Sequence, residues 1–191
     1  GLRLKSKYFL DFVVEGLVSL YEATFETRWL SEAKALADVM IHEFWDDAEG
    51  GFFFTGRSHE ELIRRTKEFE DNATPSGNSS AANGLLRLAE LTGDESYRER
   101  ADRVLGAAAG ALGRYARAFG HMLCALDFRL ARPFEIAIVG DPADEATRAL
   151  AAEARTRYVA ARVLAGAAPG DAEAAALVPI LRDRGLVGGK P

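Results

Sequence analysis

The residues from 64 to 80 (RRTKEFEDNATPSGNSS) hold the densest set of groups able to do chemistry. Glu70 and Asp71 are adjacent carboxylates, the type that serves as general acid and base when partly desolvated. They are the candidate catalytic pair. Arg65 and Lys67 can balance their charge or hold a substrate, and Asn72, Ser76 and Asn78 supply short polar side chains for the same ligand. Trp45, in the aromatic stretch 44–54 (FWDDAEGGFFF), offers a flat apolar face for a bound ligand. The alternative for Trp45 is a hydrophobic clasp of a hairpin against helices. The alternative for the loop is a solvated segment leading into a well-capped helix, since caps are far commoner than active sites.

These groups need elements to position them. Pro75 fixes the entry of the chain, and Ser76 or Asn78 can cap a helix over about 76–91 whose inward residues are Ala81, Ala82, Leu85, Leu88 and Ala89. Gly93 supplies its left-handed end, and Asp94 opens a helix over about 95–115. A fifth helix fits 117–130, on Phe119, Met122, Leu123, Leu126 and Leu130. Two helices precede the loop. The first, at 7–26, carries a stripe of Phe9, Phe12, Val13, Gly16, Leu17, Leu20 and Tyr21 at spacings of three and four. The second, at 28–45, carries Leu30, Ala33, Ala37, Met40, Ile41 and Phe44, with Thr27 as its cap. Between them and the third helix lie a hairpin or extended loop at 45–55 and an irregular stretch at 57–77, with one turn near 59–63. Long irregular loops inside compact domains are usually functional.

Beyond Pro133 the pattern changes. Residues 135–140 (EIAIVG) read as a strand buried on both faces, 144–158 as an Ala-rich helix and 161–165 as a second strand. This order makes a βαβ unit with parallel strands. Gly140-Asp141 falls where α/β folds bind phosphates, but the glycine-rich fingerprint is missing, so it reads as an ordinary turn. A short helix follows near 171–176, and Gly188-Gly189 reads as flexible.

Composition narrows the classes. The 191 residues include 24 Lys+Arg against 29 Asp+Glu, a formal charge of −5, which argues against a nucleic-acid partner. No apolar run is long enough to span a bilayer, and a cytoplasmic location is the expectation. The single cysteine, Cys124, can form neither an internal disulfide nor a cysteine-based zinc cluster, and its apolar neighbours predict a buried thiol. His42 and His121 read as structural, and His59 with Glu60-Glu61 either reaches a cavity mouth or is solvated. No spacing predicts a metal site or a cofactor.

Four collinear stretches carry a resemblance. They are 17–25 (LVSLYEATF) with Trp29-Leu30, 44–54 (FWDDAEGGFFF), 71–79 (DNATPSGNS) running into 81–94 (AANGLLRLAELTGD), and 133–140 (PFEIAIVG). Together they resemble the C-terminal region of the thioredoxin-domain-containing proteins, which include the spermatogenesis-associated thioredoxin-like proteins of animals. The resemblance covers roughly 8–190. It implies a mainly α fold: helical hairpins of an incomplete (α/α)₆ toroid over 1–132, with a small α/β extension over 133–191. Such toroids are similar to N-acylglucosamine 2-epimerases and six-hairpin glycosidases, hence an expected carbohydrate or other small polar ligand. A thioredoxin-like domain would lie upstream. With Gly1 in place of Met, the chain is expected to be a piece of a longer protein, and its uncovered helix faces predict self-association.

Two departures from the family pattern weigh against epimerase or glycosidase chemistry. The family's acidic-aromatic motif is not reproduced at Tyr8 to Asp11, and the paired histidines of the sugar epimerases are missing. The alternative function is a non-catalytic helical scaffold or interaction module serving the upstream domain.

Overall fold

The computed structural model describes residues 8–58, 65–186 and 188, with the side chains of Tyr8 and Phe9 left aside. His59, Glu60 and Glu61, and the turn expected near 59–63, lie outside the described residues. The fold is mainly helical with a small parallel sheet at its C-terminal end. The helices are α1 (Tyr8–Thr24), α2 (Thr27–Phe44), α3 (Gly77–Thr92), α4 (Glu95–Leu112), α5 (Gly120–Ala131), α6 (Glu145–Thr156) and α7 (Ala172–Leu177). The strands are β1 (Phe134–Val139) and β2 (Arg162–Ala167), paired in parallel with Phe134 opposite Arg162 and Val139 opposite Ala167.

Helix α3 is the centre. Small residues line it (Ser79, Ser80, Ala81, Ala82 and Gly84), and all are buried. Their size lets α1, α4 and α5 pack closely around it. At Gly84 a Cβ would lie 3.3 Å from Val14 of α1, so the α1–α3 approach leaves little room for a side chain. Helices α2 and α4 sit outside, burying Leu30, Ala33, Ala37, Met40 and Phe44, and Tyr97, Ala101, Val104, Leu105 and Ala108. Gly93 ends α3 at φ 70, and the Asp94 side chain caps α4 by accepting from Ser96 N.

Several expectations are corrected. In α1 the buried row is Leu10, Val14, Val18 and Tyr21, while Phe12 and Leu20 are 37% and 44% exposed. Apart from one stripe of Asp11, Glu15, Ser19 and Glu22 this helix is apolar, so its neighbours, not its periodicity, choose which apolar row is inner. The N-cap of α2 is Glu26, with no side-chain cap bond, and Thr27 is already helical. The fifth helix is split: a 3₁₀ turn at Ala116–Ala118 precedes α5, whose buried residues are Met122, Ala125 and Phe128. That rotation turns Cys124 and Leu130 to solvent. Of the two forms expected for the 45–55 stretch it takes the extended loop, closed by one antiparallel bridge, Trp45 with Phe52.

Strand β1 is not buried on both faces. Its burial runs from exposed Phe134 to buried Ile138 and Val139, because only its carboxyl end is covered. One face of the sheet packs on α6 through Ile138, Leu164 and Ala151. The other joins the main core through Val139, Val163 and Ala165.

Candidate functional site

Asp71 is placed where two helices begin. Its Oδ1 accepts from Ser76 N at 2.7 Å and from Ser79 Oγ at 2.5 Å. Its Oδ2 accepts from His121 N at 2.7 Å and Met122 N at 3.4 Å, and its own N–H donates to Ala118 O at 2.7 Å. The first turn of a helix exposes unpaired N–H groups. Helix α3 meets part of this need with Ser76, whose Oγ accepts from Ser79 N at 3.1 Å. Helix α5 has Phe119 at its N-cap, whose side chain has no acceptor to offer. Asp71 fills that role from fifty residues away and puts its negative charge at the positive end of both helix dipoles. The anion site formed by the two N-termini is thus occupied by the chain's own carboxylate.

The other loop residues are similarly engaged. Asn78 does not cap α3. It holds the 52 backbone in both directions, accepting from Phe52 N at 2.7 Å and donating to Phe52 O at 3.1 Å, and it also donates to Glu68 O at 2.7 Å. Gly51, at φ 80, passes so close that a Cβ would lie 2.8 Å from the Phe69 ring. Lys67 Nζ donates to Asp46 Oδ2 at 2.6 Å, Glu49 Oε2 at 3.1 Å and Gly50 O at 3.0 Å. Burial pushes the Asp46 carboxyl up, but Lys67 and the N–H groups of Ala48 and Glu49 outweigh it and hold the pKa below the usual value. Arg65 donates to Thr55 O and Glu43 O and stacks 4.1 Å over the Phe53 ring. Burial and the neighbouring Arg57 lower its pKa.

Trp45 is 4% exposed and meets the Phe52 ring edge-on at 5.0 Å, with the Arg103 guanidinium 5.0 Å over its own ring. Glu70 and Asn72 are the exposed members of the set, and Asn72 N closes a turn onto Thr74 O at 3.0 Å. The structure therefore brings Asp71, Ser76 and the start of α5 together. It gathers Lys67, Asn78 and Trp45 around the 45–52 loop and leaves Glu70 and Asn72 outside.

One pair beside Asp71 was not singled out from sequence. His121 Nε2 lies 3.1 Å from Glu15 Oε2 of α1, both partly exposed. The Glu15 hydrogen bond raises the His121 pKa above its ordinary value against the opposing effect of burial, and the charges of Glu15 and Asp71 add to the rise. Asn83 fixes the backbone here, donating to Ser79 O and His121 O, each at 3.0 Å. The two partners are 106 residues apart, so no local spacing could have announced them. Among the described residues no group of three or more His, Cys, Asp or Glu is placed to hold a metal ion. Nor is any helix there long and apolar enough to cross a membrane.

Fold and site define a mainly helical assembly with an appended parallel strand pair, locked at its centre by a polar loop. No protein-family profile matches the chain. Comparison with curated proteins shows it to be a homologue of spermatogenesis-associated protein 20. It is 37% identical to the rat protein and 35% identical to the human one, in each case over 154 residues. That match covers 80% of this chain and 20% of either relative. An uncharacterised protein of Caenorhabditis elegans is 30% identical over 146 residues, 76% of this chain and 19% of that protein. The chain thus spans about a fifth of the length of the curated relatives it matches.

Proposed function

We propose that this chain is a non-catalytic helical scaffold, the structural section of a larger protein, serving the thioredoxin-like domain that the sequence resemblance implies upstream. The observation that carries this reading is the engagement of Asp71. A general acid or base needs an oxygen free to face substrate. Here both oxygens accept from the starts of α3 and α5. Lys67, Arg65 and Asn78 are likewise spent on the chain's own backbone and carboxylates. The outward row on α1, with Phe12 and Leu20, is an apolar face suited to a neighbouring helix. The toroid resemblance supports the same arrangement, with further hairpins continuing from α1.

The test is a pull-down of this chain with the part of the rat relative that precedes the matched segment. Association is expected, and the double change Phe12→Glu and Leu20→Glu should abolish it. No association of the unaltered chain, or undiminished association of the variant, overturns the proposal.

A second reading, sugar binding or modification, is favoured by the Glu15–His121 pair. A partly exposed histidine with a raised pKa next to a carboxylate can give and take a proton. Glu70 would add an exposed carboxylate on the same loop as Asp71. Turnover across a panel of free sugars, lost in His121→Asn, is the result this reading requires. An absence of turnover removes it.

A further inference from the structure

A cleft of about 540 Å³ opens between the carboxyl ends of β1 and β2, helix α6 and the turn that leaves α1. That edge of a parallel sheet is where α/β folds take ligands, and the volume falls in the range of small-molecule sites. Phe25, Ile138 and Ala151 give it apolar walls, and Thr147, Arg148 and Arg155 of α6 give it polar ones. The floor is set by a close approach. Phe25 sits at φ 62, a conformation costly for a residue with a Cβ, with its ring against Gly166. A Cβ on Gly166 would lie 2.2 Å from that ring.

The charges are unbalanced. Arg148 and Arg155 are seven residues apart, two turns along one face of α6. Among the described residues neither is in an ion pair. Arg148 donates one Nη to Ala143 O at 2.6 Å. Arg155 donates its Nε to Glu22 O at 3.2 Å and lies 4.4 Å over the Phe25 ring. Burial alone lowers its pKa, with no carboxylate to offset the effect. The acidic groups at the rim are already used: Asp171 caps α7 by accepting from Ala174 N at 2.9 Å, and Glu26 pairs with Arg28 at 2.6 Å. A half-buried guanidinium without a counter-ion is costly and presents a planar fork suited to a carboxylate or phosphate.

We infer that this cleft binds a small organic anion, a phosphate or carboxylate carrying a flat apolar body. The anionic group meets the free Nη groups of Arg155, with Arg148 at the mouth. The body lies against Ile138 and Ala151. The site is separate from the 65–80 loop and does not depend on the scaffold proposal.

Titration of the whole chain with phenyl phosphate, followed by ¹H–¹⁵N NMR, tests it. Saturable shifts are expected at Gly140, Thr147, Ala167 and Ala168. Inorganic phosphate and benzyl alcohol, each carrying half of the recognised chemistry, should bind about tenfold more weakly. Arg155→Gln should weaken phenyl phosphate about tenfold, the loss of one charged hydrogen-bonding group. Arg148→Gln, an exposed position with no packing role, should weaken it about threefold and serves as the test if Arg155→Gln unfolds. Shifts centred elsewhere, failure to saturate, or unchanged affinity in the folded variants overturns the assignment.

Discussion

Replacing Asp71 with Asn keeps the size and shape of the side chain and changes only what its atoms can accept. Oδ1 faces Ser76 N and Ser79 Oγ, and Oδ2 faces His121 N and Met122 N. The Ser79 hydroxyl can rotate to become an acceptor, but the backbone N–H groups cannot. Whichever way the new amide is turned, its NH₂ points at a backbone donor, either at the start of α3 or at the start of α5. One good hydrogen bond to a charged acceptor is lost, worth about 1.5–3 kcal/mol, and a donor is left facing a donor. Loss of the carboxylate charge at two helix N-termini adds about 0.5–1 kcal/mol for each. The total is about 2.5–5 kcal/mol, which for a chain of this size lowers Tm by roughly 5–20 °C. Urea unfolding followed by circular dichroism gives the same quantity independently. A change below about 0.5 kcal/mol would refute the reasoning, because it would mean that neither helix start relies on this carboxylate.

Two further outcomes follow from pairs the fold has brought together. The raised pKa of His121 means that the protonated ring is favoured in the folded state. Its contribution is complete below about pH 6.5 and is lost as pH rises through the raised folded value. Glu15→Gln should remove this dependence, flattening a stability–pH profile by under about 1 kcal/mol for a partly exposed pair. An unchanged profile in Glu15→Gln would show that another group is responsible. Gly166→Ala should cost about 2 kcal/mol by forcing the Phe25 ring away from the sheet. In a Phe25→Gly background the same change should cost almost nothing, and additive costs in the double-mutant cycle would exclude the clash as the cause.

What could be read from the sequence depended on how far apart the interacting residues lie. Ser76, Gly93 and Asp94 act within four residues of themselves, and their roles as cap, left-handed end and cap were legible from residue type. The stripe of α2 was legible too, because its opposite face is polar. Helix α1 defeated the same method. Phe12, Gly16 and Leu20 repeat at the same spacing as Leu10, Val14 and Val18, and the packing of α2 and α3 decides between them. Cys124 was misplaced for a related reason. The helix starts at Gly120 after a 3₁₀ turn, and this shifts the inward phase to Met122, Ala125 and Phe128. The link from Asp71 to the start of α5 and the pairing of His121 with Glu15 could not be read at all, since those partners lie fifty and more residues away.

The polar loop shows why residue types suited to catalysis are weak indicators of it. From Trp45 to Ser76 the described backbone has almost no regular ladder, yet it is buried at Trp45, Asp46, Gly50 to Phe52, Gly56 and Ser76. Its buried N–H and C=O groups must still be satisfied. Side chains with strong acceptors and several donors do this best, and they are Asp, Asn, Lys and Arg, the same set that active sites use. Asp46 serves Ala48 N and Glu49 N, Asn78 serves both polar groups of Phe52, and Arg65 serves Thr55 O and Glu43 O. A better indicator of ligand chemistry is a strong group left with unused capacity after folding. By that measure Asp71 and Lys67 are spent, whereas Arg148 and Arg155 carry guanidinium groups without counter-ions among the described residues, beside a cleft of about 540 Å³. The unused capacity that we infer to serve a ligand therefore lies in the small parallel sheet and its helix, away from the loop where the residue types first pointed.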